Sequence, residues 1–282
     1  MTELGRPASA HRMVIADQRS ELTLSWGAAT DVGRRRDHNE DSYLAEAPFF
    51  VVADGMGGHL AGDRASDAVV RRLEVARSGG VASRERIEHA LELATGDIER
   101  AAGGNAIGAG TTVTGLAIVS AGGSPAALVF NVGDSRTYRI ANGRFERLTV
   151  DHSVVQEMVD AGLLRPEDAE AHPDSNVITR AVGFGEIPEP DWWLLPLHSG
   201  DRFIVCSDGL TKEIGDAGIA RIAAKVDNPQ SLAERLVGDA LVAGGRDNVT
   251  VVVMQVDAAP AIVDASVTDE SSADDEDTLP RH

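Results

Sequence analysis

The stretch Phe49-Phe50-Val51-Val52-Ala53-Asp54-Gly55-Met56-Gly57-Gly58-His59, FFVVADGMGGH, runs five apolar or small residues into an acid that is followed by glycines. A short apolar run bounded by turn residues reads as a strand buried on both faces. Such a strand ends by presenting the Asp54 carboxylate beside a backbone almost bare of side chains.

The same device recurs along the chain. Asp134 closes LVFNVG and precedes Ser135, Asp208 closes FIVCS and precedes Gly209, and Asp247 opens NVTVVV from the other side within GGRDN. An acidic pair, Glu40-Asp41, stands upstream in RRRDHNEDSY. Taken singly, each Asp-Gly or Asp-Ser is a turn signal. Their recurrence at strand ends predicts convergence at one edge of a sheet pair.

Strands are predicted at 22–30, 49–53, 111–119, 127–132, 136–140, 202–207 and 248–256, each short, β-branched and bounded by Gly, Asp or Asn. Ala141-Asn142-Gly143 between RTYRI and RFERLT signals a hairpin. Helices are predicted over 62–76, 83–103, 216–226 and 229–244; in the second, Ile87, Leu91, Ala94 and Ile98 share one face, with Ser83 as N-cap. Strands and helices come in groups rather than in strict alternation. The fold class is therefore α+β, with antiparallel sheets and helices packed outside, not a doubly wound parallel sheet.

With 43% hydrophobic residues, the chain has ample material for a sizeable core, and no linker-like stretch or internal repeat divides 22–257. Residues 1–21 read as an N-terminal extension and 258–282, acidic and Ser-rich, as a disordered tail. A formal charge of -19 argues against nucleic acid and anionic membranes as partners. No apolar run approaches the roughly 18 residues of a membrane span, so a cytoplasmic, monomeric protein is expected. Cys206, the single cysteine, excludes an internal disulfide and reads as a small buried hydrophobe.

Converging carboxylates repel one another unless something positive sits among them. Hard divalent cations, Mg²⁺ or Mn²⁺, favour carboxylates, backbone carbonyls and water, whereas zinc recruits His or Cys. Gly55 leaves its own carbonyl free to reach a metal beside the Asp54 carboxylate. Two ions bridged by one carboxylate lower the pKa of a water held between them, which gives a nucleophile suited to phosphoryl centres. An Arg near such acids can grip phosphate oxygens bidentately, and Arg36 is best placed for this, with Arg34 and Arg35 read as surface charge.

Eight motifs occur in order: RDHNED, VVADGMGGH, GTT at 110–112, NVGDSRTYR, LTVDHS, ITRAVG, CSDGLT and GGRDNVTVVV. On these the chain resembles the metal-dependent serine/threonine phosphatases of the protein phosphatase 2C (PPM) type, in particular their compact bacterial members. The resemblance implies a four-layer α/β/β/α sandwich with a dinuclear Mg²⁺/Mn²⁺ site at one end and attack by metal-bound hydroxide. It implies that Asp54 bridges the two metals, that the Gly55 carbonyl binds one, and that Asp208 and Asp247 complete the other. Glu40 and Asp41 would act on the metals or their waters, Asp134 with Asp208 would hold a third and weaker ion, and Arg36 would bind substrate phosphate.

Eukaryotic relatives carry a His two residues after the bridging Asp, where this chain has Met56. The general acid is then His59, a water or another group. Residues 153–176 fall where bacterial relatives carry a flap, and Pro166 and Pro173 within a helical pattern suit one. His152, His172, Asp151 and Asn176 read as structural or loop-capping residues and Thr111-Thr112 as core-strand or turn-bonding residues. The adjacent Trp192 and Trp193 would face opposite sides of a strand. Expected partners are phosphoprotein substrates of bacterial Ser/Thr kinases. The competing reading is a catalytically silent, phosphatase-like binding protein. A calcium-binding loop is disfavoured, because no D-x-[DN]-x-[DN]-G pattern with a Glu at the twelfth place is present.

Overall fold

The computed structural model describes residues 1–15, 20–57, 61–77, 82–101, 109–184 and 188–260. The elements run β1 (Glu3–Leu4), β2 (Ala8–Ile15), β3 (Ser20–Asp31), β4 (Asp41–Glu46), β5 (Phe49–Met56), α1 (Ala61–Arg77), α2 (Arg84–Ala101), β6 (Gly110–Thr111), β7 (Val113–Ala121), β8 (Ser124–Val132), β9 (Arg136–Ala141), β10 (Arg144–Arg147), α3 (Val154–Asp160), β11 (Asp191–Pro196), β12 (Arg202–Cys206), α4 (Asp208–Ala223), α5 (Pro229–Ala243) and β13 (Val249–Ala258).

Among the described residues, one sheet has the order β1-β4-β5-β7-β8-β11, with β6 paired to β5, and the other β10-β9-β12-β13-β3-β2. All pairings are antiparallel except β1 with β4. Strand pleating sorts β5 between two cores: Phe49, Val51 and Ala53 meet Ala65, Val69 and Leu73 of α1 and Ile87 and Leu91 of α2. Phe50 and Val52 turn the other way, against Trp26, Phe203, Val252 and Met254 of the second sheet. On the far face of that sheet, Ile204, Cys206, Val251 and Val253 pack on α4 and α5 through Ile219, Leu232 and Leu236. The result is the expected four-layer α/β/β/α sandwich.

Asn142 and Gly143 both adopt positive φ between β9 and β10, as a tight two-residue hairpin turn requires. Trp192 faces the first core and Trp193 the one between the sheets.

The structure departs from the sequence reading at three places. The segment read as an N-terminal extension (1–21) supplies edge strands: β1 pairs with β4 and β2 with β3. Only Ala8, Met13 and Ile15 of β2 pack on the core, a pattern too sparse to announce a strand. The helix expected from residue 216 starts at Asp208 and continues across a break at Gly215, whose φ of 62° is non-helical. The periodicity restarts there, so only the second half was legible. Strand β13 extends through Ala258, and residues 261–282 of the tail lie outside the described residues.

Phe50 is fully buried, with its ring 5.4 Å from that of Trp26. Phe50→Ala is expected to cost about 3–5 kcal/mol in urea unfolding; a loss below about 1 kcal/mol would mean that the two sheets do not depend on this contact.

Candidate active site

Both sheets end at one mouth of the sandwich, and there they bring the acids together. The β4–β5 register sets Asp41 directly opposite Asp54. Asp134 lies in the turn between β8 and β9, Asp208 opens α4 immediately after β12, and Asp247 precedes β13. A cleft of about 320 Å³ is lined by Arg36, Glu40, Asp54, Gly55, Asp134, Asp208 and Asp247, together with Met56, Thr112, Asn176, Ile178, Lys212 and Asn248. Asp41 lies fully buried, its Oδ2 accepting from Ser207 Oγ at 2.8 Å. Its Oδ1 has no hydrogen-bond partner among the described residues.

Backbone contacts fix this geometry. Asp54 N–H donates to Thr112 Oγ1 (3.1 Å), while the Asp54 carbonyl accepts from Thr112 N–H (2.9 Å) and Thr111 Oγ1 (2.9 Å). Thr112 Oγ1 also bonds Ser135 Oγ at 2.8 Å, which ties the Asp54 strand to the Asp134 turn. Gly55 packs so tightly on α1 that a Cβ there would lie 2.1 Å from the Gly62 carbonyl oxygen. The α1 residue Ser66 donates to the Glu40 carbonyl at 2.5 Å. Asn248 closes the other side: it accepts from Glu40 N–H (2.8 Å) and donates to the Val32 and His38 carbonyls (2.9 Å each). A Cβ on Gly209 would lie 2.0 Å from the Asn248 carbonyl oxygen, so a bare α-carbon is needed where α4 meets this loop.

The electrostatics are those of acids crowded out of water. Burial lifts Asp41 to about 7 against the nearby Thr250 hydroxyl and the hydrogen bond from Ser207, with Asp208 and Asp247 adding to the rise. Burial, then Asp208, lifts Asp134 to about 7. Asp54 is pushed well above the usual carboxylate range by desolvation and by Asp41, Asp208, Asp134 and Asp247. Desolvation also raises Glu40, against the pull of Arg36. Two cations answer these charges. Arg36 forms a bidentate pair with Asp247 at 2.8 and 2.9 Å, and Lys212 pairs with Asp208. Burial works against the Lys212 charge, but Asp208 and Asp134 outweigh it and raise its pKa.

The donors are carboxylates and a glycine carbonyl, the chemistry of a hard divalent cation rather than of zinc. The unpartnered Asp41 Oδ1 and the mutually raised carboxylates fit such an ion. As the side chains stand, no three of His, Cys, Asp or Glu among the described residues converge in a metal-holding arrangement. Asp247 and Asp208 are instead paired with Arg36 and Lys212.

Comparison with known proteins identifies the family. A family model described as protein phosphatase 2C matches residues 33–236. The chain belongs to the protein phosphatase 2C family. It is similar to the protein phosphatase PhpP of Streptococcus pneumoniae, 38% identical over 238 residues covering 80% of this chain and 95% of that one. Among solved structures of the family, the phosphatase MsPP from Mycobacterium smegmatis, in complex with cacodylate, matches at 36% identity and a TM-score of 0.74, covering 82% of this chain and 98% of that one. The catalytic domain of the serine/threonine phosphatase PstP, in complex with two manganese ions, matches at 33% identity and 0.74, covering 83% and 98%.

Residues 153–176 form α3, capped by Ser153 Oγ, and a 3₁₀ turn at Pro166–Asp168. They line a second cleft of about 680 Å³, which shares Asp134, Asn176, Asp208, Lys212 and Asp247 with the first. Asp151 is more than a loop cap: it accepts from Arg136 at 2.7 Å and Arg147 at 2.8 Å. His172 Nδ1 accepts from Asp174 N–H. His59, the candidate general acid, lies outside the described residues.

Sequence reasoning passed over Ser207, Asn248 and Lys212. Each adjoins a singled-out acid by one or four positions, which was the signal available.

His152 carries its charge-free form into the fold. Its Nδ1 accepts from Gly133 N–H at 3.1 Å and its Nε2 faces Asp191 at 3.2 Å. Burial lowers its pKa, with Asp191 opposing and Arg180 assisting. The unfolded chain therefore binds the proton more readily, and the contribution of His152 is present above about 6.5 and lost as pH falls below it. Measured by urea unfolding, the stability difference between wild type and His152→Asn is expected to narrow from pH 7.5 to pH 5; a difference independent of pH contradicts this.

Proposed function

We infer that this chain is a metal-dependent protein serine/threonine phosphatase that hydrolyses phosphoserine and phosphothreonine and opposes bacterial Ser/Thr kinases. The observation that carries the reading is the convergence of Asp41, Asp54, Asp134, Asp208 and Asp247 on one mouth with Arg36 at its rim. In this reading Asp54 and the Gly55 carbonyl would hold one ion, with Asp54 shared by a second that Asp208 and Asp247 complete. Glu40 and Asp41 would orient the ions' waters, and Asp134 with Asp208 would offer a third, weaker position. Two divalent ions supply there the acidification of a water and the neutralisation of phosphate charge.

The chain's own groups do the rest. Arg36 is half exposed and fork-shaped, so its guanidinium can leave Asp247 and take two phosphate oxygens in their place. Asp41 is suited to accept a hydrogen bond at its free Oδ1, because Ser207 fixes the other oxygen. The cleft under 153–176 gives room for the peptide flanking the phosphorylated residue. Among the described residues, no helix is long and apolar enough to cross a membrane. A monomer working in the cytoplasm, where ATP-dependent kinases act, suits this substrate class.

A catalytically silent binding protein is the weaker reading, since every acid that the chemistry needs is in place.

Hydrolysis of a phosphothreonine peptide is expected with Mn²⁺ and is lost with chelator. Asp54→Ala should lower kcat by more than about a hundredfold. Arg36→Ala should lower kcat/KM by about ten- to a hundredfold with the fold intact by circular dichroism. Metal-independent turnover, or full activity in Asp54→Ala, would contradict the assignment.

A further inference from the structure

Lys212 is a cation in the cleft that a set of metal-binding acids does not call for. It stands four residues after Asp208 in the first turns of α4, so both side chains leave the same helix face. Its Nζ donates to Asp208 Oδ2 and, at 2.5 Å, to Asn176 Oδ1. The side chain is only 30% exposed and lines both clefts. It is anchored from two directions, α4 below and the end of the 153–176 segment above. That placement differs from a surface lysine leaning on a nearby acid.

The consequence is competition. Asp134 is buried and Asp208 largely covered, and both line the same two clefts; their like charges repel, and a single ammonium at Asp208 relieves part of that repulsion. A divalent ion held by both acids would draw on the same Asp208 carboxylate to which Nζ donates. It would also feel the like charge of the ammonium a few ångströms away. At that range, even strongly screened like charges are worth enough to change affinity severalfold.

We propose that Lys212 is a resident counter-cation of the Asp134–Asp208 pair that competes with a divalent ion for Asp208 and weakens the hold on the last ion to load. Asn176 keeps the ammonium aimed at that place, so Lys212 is a positioning residue that sets metal occupancy. This rests on Asp208 being a metal ligand, as inferred above.

The test is a Mn²⁺ titration of metal-free protein, with free Mn²⁺ followed by electron paramagnetic resonance, for wild type, Lys212→Met, Lys212→Gln, Lys212→Arg and Asp208→Ala. The weakest Mn²⁺ is expected to bind about tenfold more tightly in Lys212→Met and Lys212→Gln. It should bind as in wild type in Lys212→Arg, where charge is kept, and drop out in Asp208→Ala. Unchanged or weaker binding in whichever neutral variant melts cooperatively overturns the proposal while leaving the metal site standing. Wild type that binds no Mn²⁺ overturns the metal-site reading and the proposal with it.

Discussion

Like charges held together in a partly dry cleft are the constraint on which the rest of this structure depends. Asp41 and Asp54 are register partners on adjacent strands, and Asp134, Asp208 and Asp247 arrive from other strand ends at the same mouth. Desolvation and mutual repulsion lift several of them far above their usual range. Carboxylates directly opposite in a sheet destabilise it, so the fold must force them together.

It does so with rigidity on all four sides. Apolar packing on both faces of β5 leaves Asp54 no freedom to retreat, while Thr111 and Thr112 hold its peptide from the β6–β7 side. Gly55 against Gly62 and Gly209 against Asn248 are contacts at which any side chain would push helix and strand apart. Ser66 and Asn248 grip the Glu40 backbone from opposite directions. These polar clips join the two sheets at the site end, where the apolar core has run out. The strain suits a site whose cations arrive from outside, because binding a cation relieves the repulsion that folding accumulates.

Much of this was legible in the chain. FFVVADG announces a doubly buried strand ending in an acid, and the same ending at Asp134 and Asp208 gives away the shared mouth. Asn142-Gly143 set its hairpin because Asn-Gly is among the few pairs that tolerate two positive φ values cheaply. What stayed hidden depended on distant partners. Strand β2 sets too few residues on the core to be seen without the edge it joins, and the start of α4 was masked by the break at Gly215. The roles of Ser207, Asn248 and Lys212 come from contacts spanning 36 to 216 residues of sequence, and no local pattern encodes such contacts. Lys212 in particular reads as an ordinary helix residue until Asn176 is brought over it.

If stored repulsion relieved by divalent ions is the organising feature, thermal unfolding of wild type and Asp54→Asn at pH 7.5, with and without Mn²⁺, measures it most directly. Without metal, Asp54→Asn should melt higher than wild type, since one of the crowded charges is gone. Saturating Mn²⁺ should raise the wild-type Tm by about 5–10 °C and move the variant little. A variant that melts lower than wild type without metal, yet gains as much from Mn²⁺, would show that Asp54 neither stores repulsion nor holds the ions.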